Sequence, residues 1–488
     1  MLDLLKQKVR MTETENGAAT YETSGSECLD LFASIGAFRH AGDEEIINCF
    51  IRAYTENADL AMKILFYARD IRGGLGERHV FRTILSWLAK NETESVKKNL
   101  TYISEYGRFD DLLTLLDTPC EKEMLDLLKL QFTEDLHCAS AGEHVSLLAK
   151  WLPSVNTSNK QAVRNAKRIA RAFGMNDAAY RKNVVLLRSK IHIIENYLRE
   201  KDYSFDYEKQ PSRAMYKYRD AFERNDEERY HTFLSLLSEG KAKLHADHVC
   251  PYELVEPYLT ADLKNISEAE KRILNATWDS LPDYGNNEDA LAVIDTSGSM
   301  YWSGRPLPAA VALSLGIYLA DHNKGRFRNH FIEFSARPQL IEMKGKTFVD
   351  KLRYIMTFNE IADTNLESVF DLILHTAMEN HMSQEEMPSK LVIISDMEFN
   401  CCVENASETN FENARKKYAA NHYRLPQIIF WNVAGRHRQQ PVTMNEQGVV
   451  LISGVTPKLF QLTMGGQLSP YTYMMKILES ERYAKIIA

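Results

Sequence analysis

The sequence predicts a two-domain chain, with an α-helical repeat solenoid over residues 1–285 and a doubly wound α/β domain over residues 286–488. Its 488 residues exceed what a single hydrophobic core ordinarily organises. Through the first part, apolar residues recur at spacings of three and four. Beyond about residue 286, short apolar runs alternate with helical segments, the pattern of a parallel sheet.

The composition is that of a globular protein, 44% hydrophobic and 26% charged. No run of about 18 apolar residues is present, so no membrane-spanning segment is expected. The opening MLDLLKQKVRMTETENG is a short amphipathic stretch containing acids and does not resemble a secretion signal. Cys28, Cys49, Cys120, Cys138, Cys250, Cys401 and Cys402 form no CxxC pair and no regular spacing. That usage favours reduced thiols and a cytoplasmic location over a disulfide frame or zinc knuckle.

Helical periodicity runs through DEEIINCFIRAYTEN, ADLAMKILFYARDI, HVFRTILSWLAK, ESVKKNLTYISEYG, FDDLLTLLD and HVSLLAKWL. Gly73-Gly74-Leu75-Gly76, Gly107-Arg108, Thr118-Pro119 and Gly174-Met175 interrupt it. Helices of this length with short links fit a HEAT-type solenoid better than a closed bundle, and no strand alternation is evident before residue 285.

The second half begins with the buried strand ALAVID (290–295) and the helix PLPAAVALSLGIYLADHN. RFRNHFIEFS and RPQLIE form a strand pair, and TNLESVFDLILHTAMEN a helix. KLVIISD (390–396) is a strand, ENARKKYAANHY a helix, PQIIFWNV and GVVLISG strands, and YTYMMKILESERYAKI a closing helix. Tyr471, Tyr473, Met474, Ile477 and Leu478 give that helix an apolar stripe, expected to pack back onto the helical half across the short link LPDYGNNED.

In doubly wound sheets, ligands collect at the carboxyl ends of strands. Asp295 and Asp396 both end strands. Asp295, Ser297 and Ser299 alternate in the loop LAVIDTSGSM, Thr364 follows Asp363 ahead of a helix, and Asp396 closes KLVIISD. Alone, DTSGS also reads as a turn held by Asx and Ser hydrogen bonds. Hydroxyls and carboxylates together make a hard-oxygen set suited to Mg²⁺. Glu398 is expected to be an exposed loop acid. No GxSxG or HExxH occurs, and Gly73-Gly74-Leu75-Gly76 lacks the GK[ST] of a phosphate loop, so no catalytic residue is assigned and a non-enzymatic protein is expected.

The DxSxS…T…D arrangement, with its strand–helix order over about 200 residues, resembles the metal-ion-dependent adhesion site of von Willebrand factor A domains. The resemblance implies that Ser297, Ser299 and Thr364 bind Mg²⁺ or another divalent cation directly, while Asp295 and Asp396 hold its waters. The sixth position would take an acidic group from a protein partner.

The net charge of −8 hides an asymmetry. Lys160, Arg164, Lys167, Arg168, Arg171, Arg181, Lys182, Arg188 and Lys190 fall within one stretch whose only acid is Asp177. Arg164, Lys167, Arg168 and Arg171 form a cationic stripe on SNKQAVRNAKRIARAFG, preceded by Asn156, Thr157, Ser158 and Asn159, whose side chains and amides suit phosphates. Such a run is commonly a solvated face, but in an otherwise acidic chain it points to a polyanion. Trp151, Phe173, Tyr180, Tyr216 and Tyr218 are aromatic neighbours in sequence, more in keeping with core than with base stacking. Arg213, Lys217 and Arg219 extend the basic character.

A helical repeat module followed by an A-like domain resembles the Ro autoantigen family, whose helical part is called the TROVE module. GGLGERHVFRTILSWLAK and FDDLL are similar to helix starts found there. DIRGGLGER (70–78) and SDMEF (395–399) bring the chain closer to Ro-related proteins of unknown function. The helical half is shorter than in Ro. The family implies a ring of helical repeats binding small structured or misfolded RNA and single-stranded ends. The alternative is a protein-interaction scaffold whose metal site captures a partner's carboxylate.

Overall fold

A computed structural model describes residues 11–488 except 192, 247–248, 260–265, 285–288, 302–303, 335–336, 359–363, 402–407, 436–437 and 463–468. Asp363, Cys402 and part of the LPDYGNNED link lie outside the described residues. The chain forms two compact units, residues 1–42 with 206–480, and residues 43–205 with 481–488. The expected boundary near residue 285 marks where helices give way to the main sheet, but the compact units divide elsewhere. The helices Ser212–Asn225, Glu227–Ser238, Tyr252–Leu259 and Glu268–Asp279 belong to the unit that holds this sheet.

That unit is built on β3 (Ala290–Asp295), β4 (His330–Phe334), β5 (Gln339–Glu342), β6 (Lys390–Ser395), β7 (Gln427–Asn432) and β8 (Val449–Ser453). Their order is β5-β4-β3-β6-β7-β8, parallel apart from the edge pair β4–β5. The chain starts at β3, steps to β4 on one side, then crosses to β6 and on to β7 and β8. The winding reverses between β3 and β6, so the crevice at their carboxyl ends is the switch point of a doubly wound sheet.

Both faces of the sheet are covered. Every residue of β3, β6 and β8 is buried, which explains why those strands read as continuous apolar runs instead of alternating ones. A fully buried Val, Leu or Ile contributes about 1.5–3 kcal/mol. The helix Pro308–His322 is buried almost all round. It lies against β3 because Gly316 has no Cβ; one there would sit 2.0 Å from Ile294 Cδ1.

Strands do occur before residue 285, contrary to expectation. β1 (Met11–Glu13) and β2 (Ala19–Tyr21) form an antiparallel hairpin with the register Met11↔Tyr21. Single bridges tie Gly17 to Asn400 and Ala19 to Thr409. Three-residue strands are too short for a period of two to register.

The second unit is helical. Asp43–Glu56, Ala58–Arg69 and His79–Asn91 match the expected helices and pack on one another. ESVKKNLTYISEYG and FDDLLTLLD are instead broken into short α and 3-10 turns, and HVSLLAKWL is helical only over Leu148–Trp151. The longest helix, Glu121–Ala141, ends on Gly142 at φ +76°, a left-handed cap that glycine adopts without strain.

The closing helix differs from expectation. It spans Pro470–Leu478 and buries Tyr473, Met474, Ile477 and Leu478 against β8 and the helix Glu27–Ser34, within the sheet unit. The segment Glu481–Ala488 is the part that joins the helical unit. Among the described residues, no helix is long and apolar enough to cross a membrane.

Candidate functional site

Parallel pairing of Ile294 with Ile394 brings the ends of β3 and β6 side by side. Asp295, with none of its surface exposed, accepts a 2.5 Å hydrogen bond from Ser395 Oγ and a 2.9 Å one from the amide of Ser297. Ser297 Oγ and Ser299 Oγ lie 3.0 Å apart. Asp396, also buried, accepts from the amide of Glu398. Thr364 is buried, and its carbonyl accepts from the Asn400 amide at 2.9 Å, which ties the segment before the Leu366–Glu379 helix to the loop after β6. Burial, and after it the neighbouring Asp396 carboxylate, raise the Asp295 pKa. Two buried carboxylates at adjoining strand ends, edged by hydroxyls, are a donor set that a divalent cation fits. The Asx-turn reading of DTSGS also holds in part, since the Ser297 amide does bond Asp295.

Glu398 corrects an expectation: it is buried, not exposed. Its carboxylate accepts from the Glu15 amide at 2.7 Å and from Gln439 Nε2 at 3.0 and 3.1 Å. The hairpin also holds the loop through Thr14 Oγ1 to Phe399 O and Asn16 Nδ2 to Glu398 O, each 2.6 Å. Glu333 on β4 is a further buried acid, 3.3 Å from Thr296 Oγ1. An acid inside the apolar run HFIEF was the sequence signal for it.

The basic residues occupy two helices of the other unit, Lys160–Ala172 and Asp177–Lys190, capped by Asn159 and Asn176. Their side chains fall into two groups. Arg188 is structural: burial lowers its pKa, and it donates to Ala149 O, Leu152 O and Ser154 Oγ at 2.8, 2.7 and 2.9 Å. It thereby closes the carbonyl end of the Leu148–Trp151 helix. Arg168 pairs with Asp117 and Glu121, and Lys167 lies 3.4 Å from Asp177. Lys160, Arg164, Arg171, Arg181, Lys182 and Lys190 are exposed, and none has a side-chain partner among the described residues.

Phe173 and Tyr180 pack with Phe132 in the core, as expected of them. Trp151 is half-buried under Arg108, whose guanidinium carbon is 3.9 Å from the ring centre. Tyr216, Tyr218, Arg213, Lys217 and Arg219 fall in the sheet unit. There Arg213 pairs with Glu253 and Arg219 with Glu270, so these two arginines are neutralised locally.

Residues 14–133 and 125–284 match the model of a domain of unknown function (DUF2828). The chain belongs to that family. Residues 289–481 match a second domain of unknown function (DUF7788). The acids and hydroxyls of the strand ends fall in the second match and the basic helices in the first. The uncharacterized protein L728 of Acanthamoeba polyphaga mimivirus is 30% identical over 508 residues, covering 96% of this chain and 87% of its own. Among solved structures, the crystal structure of Deinococcus radiodurans RO (RSR) protein aligns over 89% of this chain and 92% of its own. It does so at 13% identity and a TM-score of 0.33, too low to establish a common fold.

Proposed function

We propose that this chain is a non-enzymatic, Ro-like RNA-binding protein that carries an Mg²⁺-competent, von Willebrand A-like domain. The observation that carries the reading is the set of unpaired exposed cations on two consecutive helices. Lys160, Arg164, Arg171, Arg181, Lys182 and Lys190 remain available to phosphates, whereas Lys167 and Arg168 have acidic partners. A cationic surface on helix faces, without a recognition helix of helix-turn-helix type, suits single strands and irregular ends better than duplex DNA. The RNA class is a small structured or misfolded one. Isolating the protein with its bound nucleic acid tests this: ribonuclease-sensitive small RNA is expected, and nucleic-acid-free protein that ignores added single-stranded RNA at low salt refutes it.

In the A-like domain, Ser297, Ser299 and Thr364 would hold the ion directly, with Asp295 and Asp396 behind its waters. Bound Mg²⁺ supplies a fixed positive charge and an exchangeable coordination position. Acids gathered at the strand ends favour a second reading, a scaffold in which that position takes a partner's carboxylate. Partner capture that needs Asp295 but is indifferent to the basic helices distinguishes it.

A further inference from the structure

Among the described residues, Glu223, Glu227 and His231 form a cluster whose ligating atoms all lie within 4.8 Å of one another. Glu223 lies in the last turn of the helix Ser212–Asn225, and Glu227 and His231 stand one turn apart on the next helix, Glu227–Ser238. Asp226, at φ −150° and ψ 42°, breaks the helix between them. Its side chain is held by Tyr207 Oη at 2.7 Å and Arg229 at 3.1 Å. The break lets residues 223, 227 and 231 converge while Arg229 is engaged elsewhere.

Hydrogen bonding inside the cluster is incomplete. Glu223 Oε1 lies 2.8 Å from His231 Nε2, but Glu223 Oε2 is buried and has no partner among the described residues. The hydroxyl of Tyr230, a residue only 1% exposed, is likewise without one. A buried oxygen left without a partner has given up its hydrogen bonds to water with nothing in return. A cation in the cluster would remove that cost for Glu223.

We infer that Glu223, Glu227 and His231 form a second metal site, separate from the strand-end acids, that takes Zn²⁺ or a similar borderline transition ion. One imidazole and two carboxylates suit zinc better than Mg²⁺, which prefers oxygen alone. Zinc holds such ligands tetrahedrally at about 2.0–2.2 Å, so its ligand atoms stand roughly 3.4 Å apart. Rotation of the exposed Glu227 side chain closes the remaining gap. Glu227 is exposed and His231 half-exposed, which leaves a fourth position open to water or an incoming group.

Equilibrium dialysis of the full chain against Zn²⁺, with Mg²⁺ in large excess, tests the assignment. One equivalent of zinc is expected, retained in Asp295→Asn and lost in His231→Ala and in Glu223→Gln. Glu227→Gln, at an exposed position, serves as a variant whose folding is not in question, and weakened uptake is expected there. Absence of zinc uptake by the wild-type chain overturns the site, as does undiminished uptake by folded His231→Ala, Glu223→Gln or Glu227→Gln protein.

Discussion

Arg482 grips Asp70. Its guanidinium donates to both carboxylate oxygens, Nη2 reaching Oδ1 at 2.6 Å, and the adjacent Tyr483 hydroxyl donates to Oδ2 at 2.9 Å. Asp70 is fully buried, and burial alone would raise its pKa. Hydrogen bonds from Arg482, from the Arg72 and Gly73 amides and from Tyr483 outweigh that, so the net shift is downward. DIRGGLGER is therefore a receptor for the segment Glu481–Ala488. A Cβ at Gly73 would meet Arg482 Nε at 2.8 Å, and one at Gly74 would meet Tyr67 O at 2.0 Å. Asn99 Nδ2 and Lys98 Nζ hold the carbonyls of Ile487 and Ala488.

Arg482→Met is expected to destabilise the helical unit by about 3–5 kcal/mol, because it leaves a buried carboxylate without its ion partner. Removal of Glu481–Ala488 has the same target. Hydrogen exchange should show faster opening over residues 58–106 in both variants. Unchanged protection there, with full loss elsewhere, would contradict the latch.

Asp30 carries a pH dependence. Burial raises its pKa to about 6 despite hydrogen bonds from Ser24 and Thr23. A carboxyl raised in the folded state contributes fully below its unfolded value near 4, and the contribution is lost as pH rises through about 6. The loss is on the order of 1.4 kcal/mol per pH unit across that window. Asp30→Asn should match the wild type near pH 4 and exceed it in melting temperature near pH 7. A difference that stays constant with pH would contradict this.

At the strand ends, Mg²⁺ should raise the melting temperature of the wild-type chain, and Asp295→Ala should abolish the rise while the fold survives. A crystal grown with Mg²⁺ should show the ion about 2.0–2.6 Å from the Ser297, Ser299 and Thr364 hydroxyls. Equal stabilisation of wild type and variant would rule out Asp295 as part of a cation site.

The sheet and its acids were legible because buried parallel strands announce themselves as apolar runs and because Asp295 and Asp396 end two of them. Less legible was whatever depends on distant partners. Glu398 reads as a loop acid until the hairpin around Glu15 covers it. Arg188 reads like its basic neighbours, though three acceptors from residues 149–154 consume it. Asp70 sits in a glycine-rich turn that signals a break, and its ion partner lies 412 residues away in sequence. Residues 206–279 carry helical periodicity like the segments before them, and periodicity does not encode which core a helix joins.

The RNA reading is tested most directly by affinity for single-stranded RNA across a salt series, comparing two sets of charge reversals. Arg164, Arg171, Arg181 and Lys182 form the first set. The second, Lys90, Lys122, Lys129 and Lys346, is equally exposed. Each phosphate that the protein no longer neutralises should flatten the dependence of log K on log salt by about 0.7 for a single strand. Reversal of the first set is expected to remove most of the affinity and flatten the slope by roughly 2–3, while reversal of the second leaves both near the wild-type values. Equal weakening by the two sets would mean that only bulk charge matters, and the proposed interface would be wrong.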